Sequence, residues 1–238
     1  MHSQVQTWEA SMTLDDACSL ALRAGWLSRQ PEVFARRLLS GAQLRQLQRG
    51  AMLYGLGDPA GSLYCVASGC LDVLASSGPF PPTLAHLARP GFWIGEAALL
   101  GETTRLVATI ARTDAAVLVL APAEVRRCAD EAPETWRRIG AITAGHLDTA
   151  LSFAICRSGE DHLLRVAVTL LRLSEPRDPH EDRVTLPLSH AELGEICGLS
   201  RNSVGRALTA LARSGTVEAG YGRVMLPDPP ALAALISR

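Results

Sequence analysis

Along the 238-residue chain the spacing of apolar positions changes twice. Residues 1 to about 40 read as helical and irregular. Within them Val33, Phe34, Leu38 and Leu39 place an apolar side on a short helix from Glu32 to Leu39. From Arg49 to Leu120 short apolar runs alternate with turn residues. Residues 52–54 precede Gly57-Asp58-Pro59, and 63–66 precede Ser68-Gly69. Residues 71–74 precede Ser76-Ser77-Gly78-Pro79, 84–87 precede Arg89-Pro90-Gly91, and 107–110 and 117–120 close the series. Strands at such intervals predict an antiparallel sandwich or barrel.

Helical spacing then returns. Pro122 starts a short helix to residue 129, and Pro133 opens a long one that runs to Arg157 without another proline. Glu134, Arg138, Asp148 and Ser152 form a narrow polar stripe on it. Trp136, Ile139, Ile142, Leu147, Leu151, Phe153 and Ile155 occupy much of the rest. A helix apolar on more than one face has more than one partner. One face is expected to cover the barrel, and the other to pair with the same helix of a second chain, with Ile142 and Phe153 in the pairing face. The alternative is a helix buried within one chain. No run approaches the ~20 apolar residues of a membrane helix. The first twenty residues hold Glu9, Asp15 and Asp16 and no apolar signal segment. The expected setting is therefore cytoplasmic, with no membrane partner.

The C-terminal third carries the strongest pattern. Ser158-Gly159-Glu160-Asp161 restarts a helix, with Ser or Asp as cap, and apolar residues follow from Leu163 to Leu173. Residues 175–182 read as a polar loop. Ser189 with Glu192 three residues on is a capping box, opening a short helix through Leu193 and Ile196. Cys197-Gly198-Leu199 is a tight turn, and Ser200 caps a second helix, Arg201 to Arg213, with Val204, Ala207, Leu208 and Leu211 inward. Two helices joined by a short glycine turn form a helix-turn-helix. Residues 216–218 and 223–226 flank Ala219-Gly220-Tyr221-Gly222 as a hairpin, or wing. Arg201, Asn202, Ser203 and Arg206 face outward near the N-terminus of the second helix. Arg can fork to guanine O6 and N7, and Asn to adenine N6 and N7.

Composition sharpens this reading. Formal net charge is −1, so no general attraction to nucleic acid exists. Between Leu199 and Leu226, however, four Arg stand against one Glu, which is locally +3. The alternative is a solvated face on a small helical bundle. All 23 basic residues are Arg, and Asn202 is the only Asn. Cysteines 18, 65, 70, 128, 156 and 197 form no C-x-x-C and no zinc spacing, and read as small buried apolar groups. No P-loop, G-x-S-x-G, H-E-x-x-H or dinucleotide-binding glycine motif is present, so no enzyme is expected.

The stretch Ser189 to Arg206 (SHAELGEICGLSRNSVGR) resembles the helix-turn-helix of the Crp/Fnr transcription regulators. Upstream, Arg49 to Tyr54 (RGAMLY), Gly57-Asp58, Leu63-Tyr64, Val66, Ser68-Gly69, Pro90-Gly91 and Ile94-Gly95-Glu96 resemble the sensor barrel of that family. The resemblance covers residues 40 to 230, approximately, and implies an α+β fold. Its parts are a cyclic-nucleotide-binding-like antiparallel β-barrel (jelly roll) with N-terminal helices over residues 1–132, a dimerisation helix over 133–158, and a winged helix-turn-helix over 159–238. It also implies a homodimer reading an inverted repeat in double-stranded DNA, with RNA polymerase as a further partner. Arg201 and Arg206 take base-reading positions, and Ser200 and Ser189 phosphate-contact positions. Asn202 stands where many members have Glu, and His190 where some have a phosphate-binding Arg. Arg223 on the wing is a further phosphate-contact candidate.

The same resemblance makes Gly95-Glu96 and Arg105 a phosphate-binding cassette, in which Glu holds a ribose hydroxyl and Arg the phosphate. The Ser that normally follows that Arg is Leu106 here, and the polar pair that reads adenine aligns with Ala150 and Leu151. A purine edge facing Ala and Leu loses its hydrogen bonds. Cyclic AMP is thus not the expected effector, and Glu96 and Arg105 are expected to form an ion pair within a turn. The identity of the effector and of any cofactor stays open. His86 and His146 are haem-ligand candidates by type alone, and Cys65, Cys70 and Cys156 are redox candidates. The alternatives are a cyclic-nucleotide-responsive regulator of the same family, or a ligand-binding module whose C-terminal helices only mediate assembly.

Overall fold

The computed structural model describes residues 12–236. Helix α1 (Leu14–Arg23), a 3-10 turn (Leu27–Arg29) and α2 (Glu32–Leu39) come first. Thr13 and Asp16 cap α1 reciprocally. In α2 the buried side is Phe34, Ala35, Leu38 and Leu39, whereas Val33, expected inward, is 71% exposed. Each residue turns a helix by about 100°, so a face centred on Phe34, Ala35 and Leu38 leaves Val33 outside.

Strands β1 (Gln43–Leu47), β2 (Met52–Tyr54), β3 (Leu63–Ser68), β4 (Leu71–Ala75), β5 (Thr83–Ala88) and β6 (Trp93–Ile94) follow. After α3 (Glu96–Gly101) come β7 (Val107–Ala111) and β8 (Ala115–Leu120). They form two four-stranded antiparallel sheets, ordered β1-β8-β3-β6 and β2-β7-β4-β5. Leu53, Val66, Leu71, Val73 and Val117 fill the space between them. Both strands that the apolar pattern missed lie at a sheet edge. β1 exposes most of its positions, and β6 is two residues long.

Helices α4 (Pro122–Glu131) and α5 (Glu134–Ser158) close the N-terminal part. Ile139 and Ile142 of α5 are buried against α1, α2 and the barrel. Phe153 packs on its own chain too, beside the ring of His86. The expectation that Ile142 and Phe153 form a pairing face is therefore corrected. The exposed apolar line on α5 runs through Leu147, Leu151 and Ile155. By length and composition α5 is also apolar enough to cross a membrane, with a mean hydropathy of 1.3, contrary to the sequence reading. In this fold it packs on α3, α4 and the C-terminal helix that holds Arg172, and is tied by Arg138 to Gln30 (3.0 Å) and by Asp148 to Arg172 (2.8 Å).

The C-terminal part is α6 (His162–Leu173), β9 (Val184–Leu186), α7 (His190–Cys197), α8 (Arg201–Arg213), β10 (Glu218–Gly220), β11 (Arg223–Leu226) and α9 (Pro229–Ile236). Asp161 caps α6, accepting from the Leu163 and Leu164 amides. The wing hairpin gains a third strand, in the order β10-β11-β9. Cys70, Leu84 and Leu87 of the barrel belong to the same apolar cluster as Leu170, Leu193 and Leu208. Polar contacts reinforce that junction. Arg89 donates to Ser174 O (2.9 Å) and to Glu181 (2.8 Å), and Arg23 pairs with Asp178 (2.8 Å). Arg112 joins Asp72 of β4, Glu192 of α7 (2.8 Å) and Pro187 O (2.8 Å). The Leu84 amide donates to Glu195 Oε1 (3.2 Å).

A column of rings, tilted by 33° and 30° in the first two pairs and stacked at 14° in the third, also binds α5 to the barrel. Phe153, His86, Phe92 and His146 stand in that order, with centroid separations of 6.1, 5.0 and 4.9 Å. His86 is buried, with Nδ1 2.8 Å from Leu87 O, and burial holds its pKa down at about 4.

Two outcomes are expected. Arg112→Met leaves Asp72 and Glu192 without their shared cation and lowers stability by roughly 2 kcal/mol, read by urea denaturation. The second concerns pH. The unfolded chain protonates His86 below about 6.5, whereas the folded chain does so only near pH 4. Acidification through that window therefore favours unfolding, by up to roughly 3 kcal/mol. His86→Phe, which keeps a ring and cannot titrate, is expected to flatten the loss of stability between pH 7 and 4.5.

Candidate nucleic-acid interface and effector cavity

The helix-turn-helix is built by caps and by glycine. The Ser189 hydroxyl accepts from the Glu192 amide (3.3 Å), and the Glu192 carboxylate accepts from the Ser189 amide (2.7 Å). Gly198 ends α7 at φ +68°, a left-handed conformation that favours glycine. A Cβ on Gly194 would stand 2.5 Å from Leu199 O, so the turn folds back on α7 at a contact only glycine permits. Ser200 then caps α8 by accepting from the Ser203 amide (3.1 Å). Val204, Ala207, Leu208 and Leu211 are buried beneath it, as the sequence predicts.

The outer face of α8 borders a broad concavity with His190, Ser200, Arg201, Asn202 and Arg206 along it. Arg201, Asn202 and Arg206 are exposed. Ser203, expected outward with them, is 8% exposed and accepts from the Ser200 hydroxyl (3.1 Å). It lies under α8 because the cap draws it in. Sequence reasoning missed Thr209 and Arg213, which border the same concavity. Their signal was available, since 202, 206, 209 and 213 follow the spacing of one helical face. On the wing Arg223 is exposed beside Gly220, and Tyr221 stands fully exposed at the tip.

A second cavity, of about 430 Å³, lies between β4, β5, β7, α3 and α5. Gly95 adopts φ +102°, and a Cβ there would stand 2.7 Å from both Arg105 Nη1 and Ser62 O. This glycine lets Arg105 reach through. Its guanidinium donates to Gly95 O and Ser62 O, each at 2.9 Å, and lies 4.3 Å over the ring of Tyr54. Glu96 is buried and accepts from His146 Nδ1 (2.9 Å) and the Thr143 hydroxyl (3.4 Å). The expected Glu96–Arg105 ion pair is thus replaced by two separate arrangements, one on α5 and one on main-chain carbonyls.

Gly95, Glu96, Arg105, Leu106 and Ala150 all border this cavity; Leu151 does not. Leu151 is 52% exposed, turned away from Ala150 by one helical step. Leu106 is 63% exposed as well as bordering the cavity, which puts it at the mouth. Thr143 and His146, unnoticed as partners of Glu96, sit seven and four residues before Ala150 on the same helix. His146 and His86 both border the cavity and are engaged by Glu96 and by Leu87 O. Among the described residues no cluster of three or more metal-binding side chains occurs. Burial raises the thiol pKa of Cys65 and pushes that of Cys70 up to about 12, so neither is a thiolate at neutral pH.

Comparison with known proteins completes the site. Residues 44–132 match the cyclic nucleotide-binding domain, and residues 164–235 the Crp-like helix-turn-helix domain. The chain is 32% identical over 188 residues to the cyclic AMP receptor protein of Thermus thermophilus, covering 78% of this chain and 84% of that protein. Among solved structures it is similar to a transcriptional regulator of the CRP/FNR family, also from Thermus thermophilus (26% identity, TM-score 0.59, 82% of this chain and 99% of that one). It is similar also to the c-di-GMP-responsive global regulator CLP of Xanthomonas campestris (25% identity, TM-score 0.60, 82% and 99%). These relatives are regulators rather than enzymes. A cyclic-nucleotide-binding barrel, a long helix and a winged helix-turn-helix with exposed Arg and Asn on its second helix thus coincide with the matches along the sequence, and the chain belongs to the Crp/Fnr family of transcription regulators.

Proposed function

We propose that this DNA-binding regulator works as a cytoplasmic homodimer that reads an inverted repeat, under control of an effector in the barrel cavity. The observation that carries the reading is the outer face of α8, where Arg201, Asn202 and Arg206 stand exposed above a buried apolar side. Arg201 and Arg206 read base edges there. Asn202 sets a neighbouring base, and Ser189, His190 and Ser200 lie at the phosphate backbone, as does Arg223 on the wing. Ser203 acts through the cap of α8 and the orientation of Arg206, whose Nη2 lies 3.4 Å from the Ser203 hydroxyl. RNA polymerase is the partner of the DNA-bound form.

Dimerisation is assigned to α5. Leu147, Leu151 and Ile155 follow one another at helical spacing and are 58, 52 and 72% exposed in the single chain. That line asks for a cover, and pairing with its own copy brings two α8 helices to two half-sites. Cyclic AMP is not the effector in this reading, because Leu106 and Ala150 offer its polar edges no partner and Glu96 is already engaged by His146 and Thr143.

Selection of sites from a random DNA pool is expected to enrich an inverted repeat with half-sites about one helical turn, ~34 Å, apart. Arg201→Ala or Arg206→Ala costs about 1–3 kcal/mol and relaxes one position per half-site. Asn202→Glu shifts preference toward cytosine, and Arg223→Ala weakens all sequences alike and flattens the salt dependence. Unchanged motifs in both Arg variants overturn α8 as the reader. Leu151→Glu combined with Ile155→Glu is expected to give monomers by light scattering. A double variant that stays dimeric excludes this face as the interface.

A further inference from the structure

Arg105 is 4% exposed and borders the barrel cavity. Its hydrogen bonds go to two main-chain carbonyls, and among the described residues no carboxylate pairs with it. A buried guanidinium has five donors and a full charge, and is stable when an anion completes its surroundings. The other buried ion at the cavity, Glu96, has His146 and Thr143 as partners. Much of the remaining wall is apolar: Val73, Ala85, Ile94, Val107 and Phe153 carry no hydrogen-bonding side chain. A sugar or base lying against these five side chains leaves the polar groups it turns toward them unmet, at about 1–3 kcal/mol each, and the hydrogen-bonding side chains Tyr54, His86, Thr143, His146 and Thr149 are confined to the rest of the wall. An apolar body loses nothing, and the ring of Phe153 can take an aromatic body edge to face.

We propose that the cavity takes a small hydrophobic carboxylate, with its two oxygens on Arg105 and its apolar body against β4, β5, β7 and Phe153. The volume, about 430 Å³, lies in the range of about 300–1,000 Å³ that small-molecule sites occupy. The proposal rests on the reading of this cavity as the effector site. It also supplies a route to DNA. Ala85 and His86 of β5 border the cavity, while the Leu84 amide bonds Glu195 of α7 and Leu87 packs into the C-terminal core. One strand thus touches both the acid and the helix-turn-helix.

The test is titration calorimetry on the full-length protein with 2-naphthoate as a flat acid, decanoate as an extended one, cyclic AMP and inorganic phosphate. At least one acid is expected to bind about tenfold or more tightly than cyclic AMP and phosphate, and to shift DNA affinity. Arg105→Gln weakens that binding by about tenfold or more, the worth of a charge-assisted hydrogen-bond pair. Because Arg105 also ties Gly95 to Ser62, Ala85→Phe is the second variant. It fills the cavity from β5, keeps the wild-type circular dichroism and removes acid binding. Tighter binding of cyclic AMP than of both acids, no binding of either acid, or undiminished acid binding in Ala85→Phe overturns the ligand class. DNA-site selection on the same preparation separates this from failure of the regulator reading. An enriched inverted repeat without acid binding sinks only the ligand class, whereas no enriched repeat under any ligand sinks the regulator reading.

Discussion

The structure depends on the edge of one sheet. The β4–β5 hairpin is where barrel, cavity and DNA-binding part meet, because its side chains are divided between them. Val73, Ala85 and His86 belong to the cavity wall, and Leu84 and Leu87 to the core under α6–α8. An edge strand with free amides invites pairing with another chain. Here α7 lies against it, and Glu195 takes one of those amides. The helix-turn-helix is small and has many polar positions. Part of its apolar burial is borrowed from the barrel, and its orientation is fixed by the same contacts.

Arginine suits that arrangement for a geometric reason. Arg112 meets two carboxylates and a carbonyl at once, and Arg89 meets both oxygens of Glu181 and a carbonyl. A planar fork can serve three acceptors in one place, whereas an ammonium is a point charge on a flexible stem. The absence of lysine, an ordinary compositional bias in the sequence, thus becomes structural at the junction and in the cavity.

The parts legible in the sequence were those set by neighbours along the chain. The caps at Ser189 and Ser200, the turn at Gly198 and the inward side of α8 follow from local rules, as do six of the eight barrel strands. β1 was invisible because an edge strand carries polar residues on most positions, and β9 because it is three residues long with no turn signal pairing it to the wing. Errors of one helical step came next. Val33, Ser203 and Leu151 each sit beside residues correctly placed, and only packing or a cap fixes the rotation. Contacts between distant residues were not legible at all. Nothing local says that Glu96 meets His146, that Phe92 is stacked between two imidazoles, or that Arg112 reaches Glu192. The pairing face of α5 failed for the same reason: two apolar faces on one helix look alike until the barrel chooses one.

Three of the ion pairs that tie the N-terminal part to the C-terminal part share one direction, whereas Asp148 of α5 with Arg172 of α6 runs the other way. Arg23, Arg89 and Arg112 come from the barrel side, and Asp178, Glu181 and Glu192 from the DNA-binding side. Docking therefore screens three negative charges of the very unit that must approach a polyanion. Unpaired carboxylates would oppose the four arginines between Leu199 and Leu226; paired at 2.8 Å, their field is cancelled at close range. The N-terminal part thereby supplies counter-ions to its own DNA-binding part, which leaves that part more positive toward a phosphate backbone than its own sequence alone would make it.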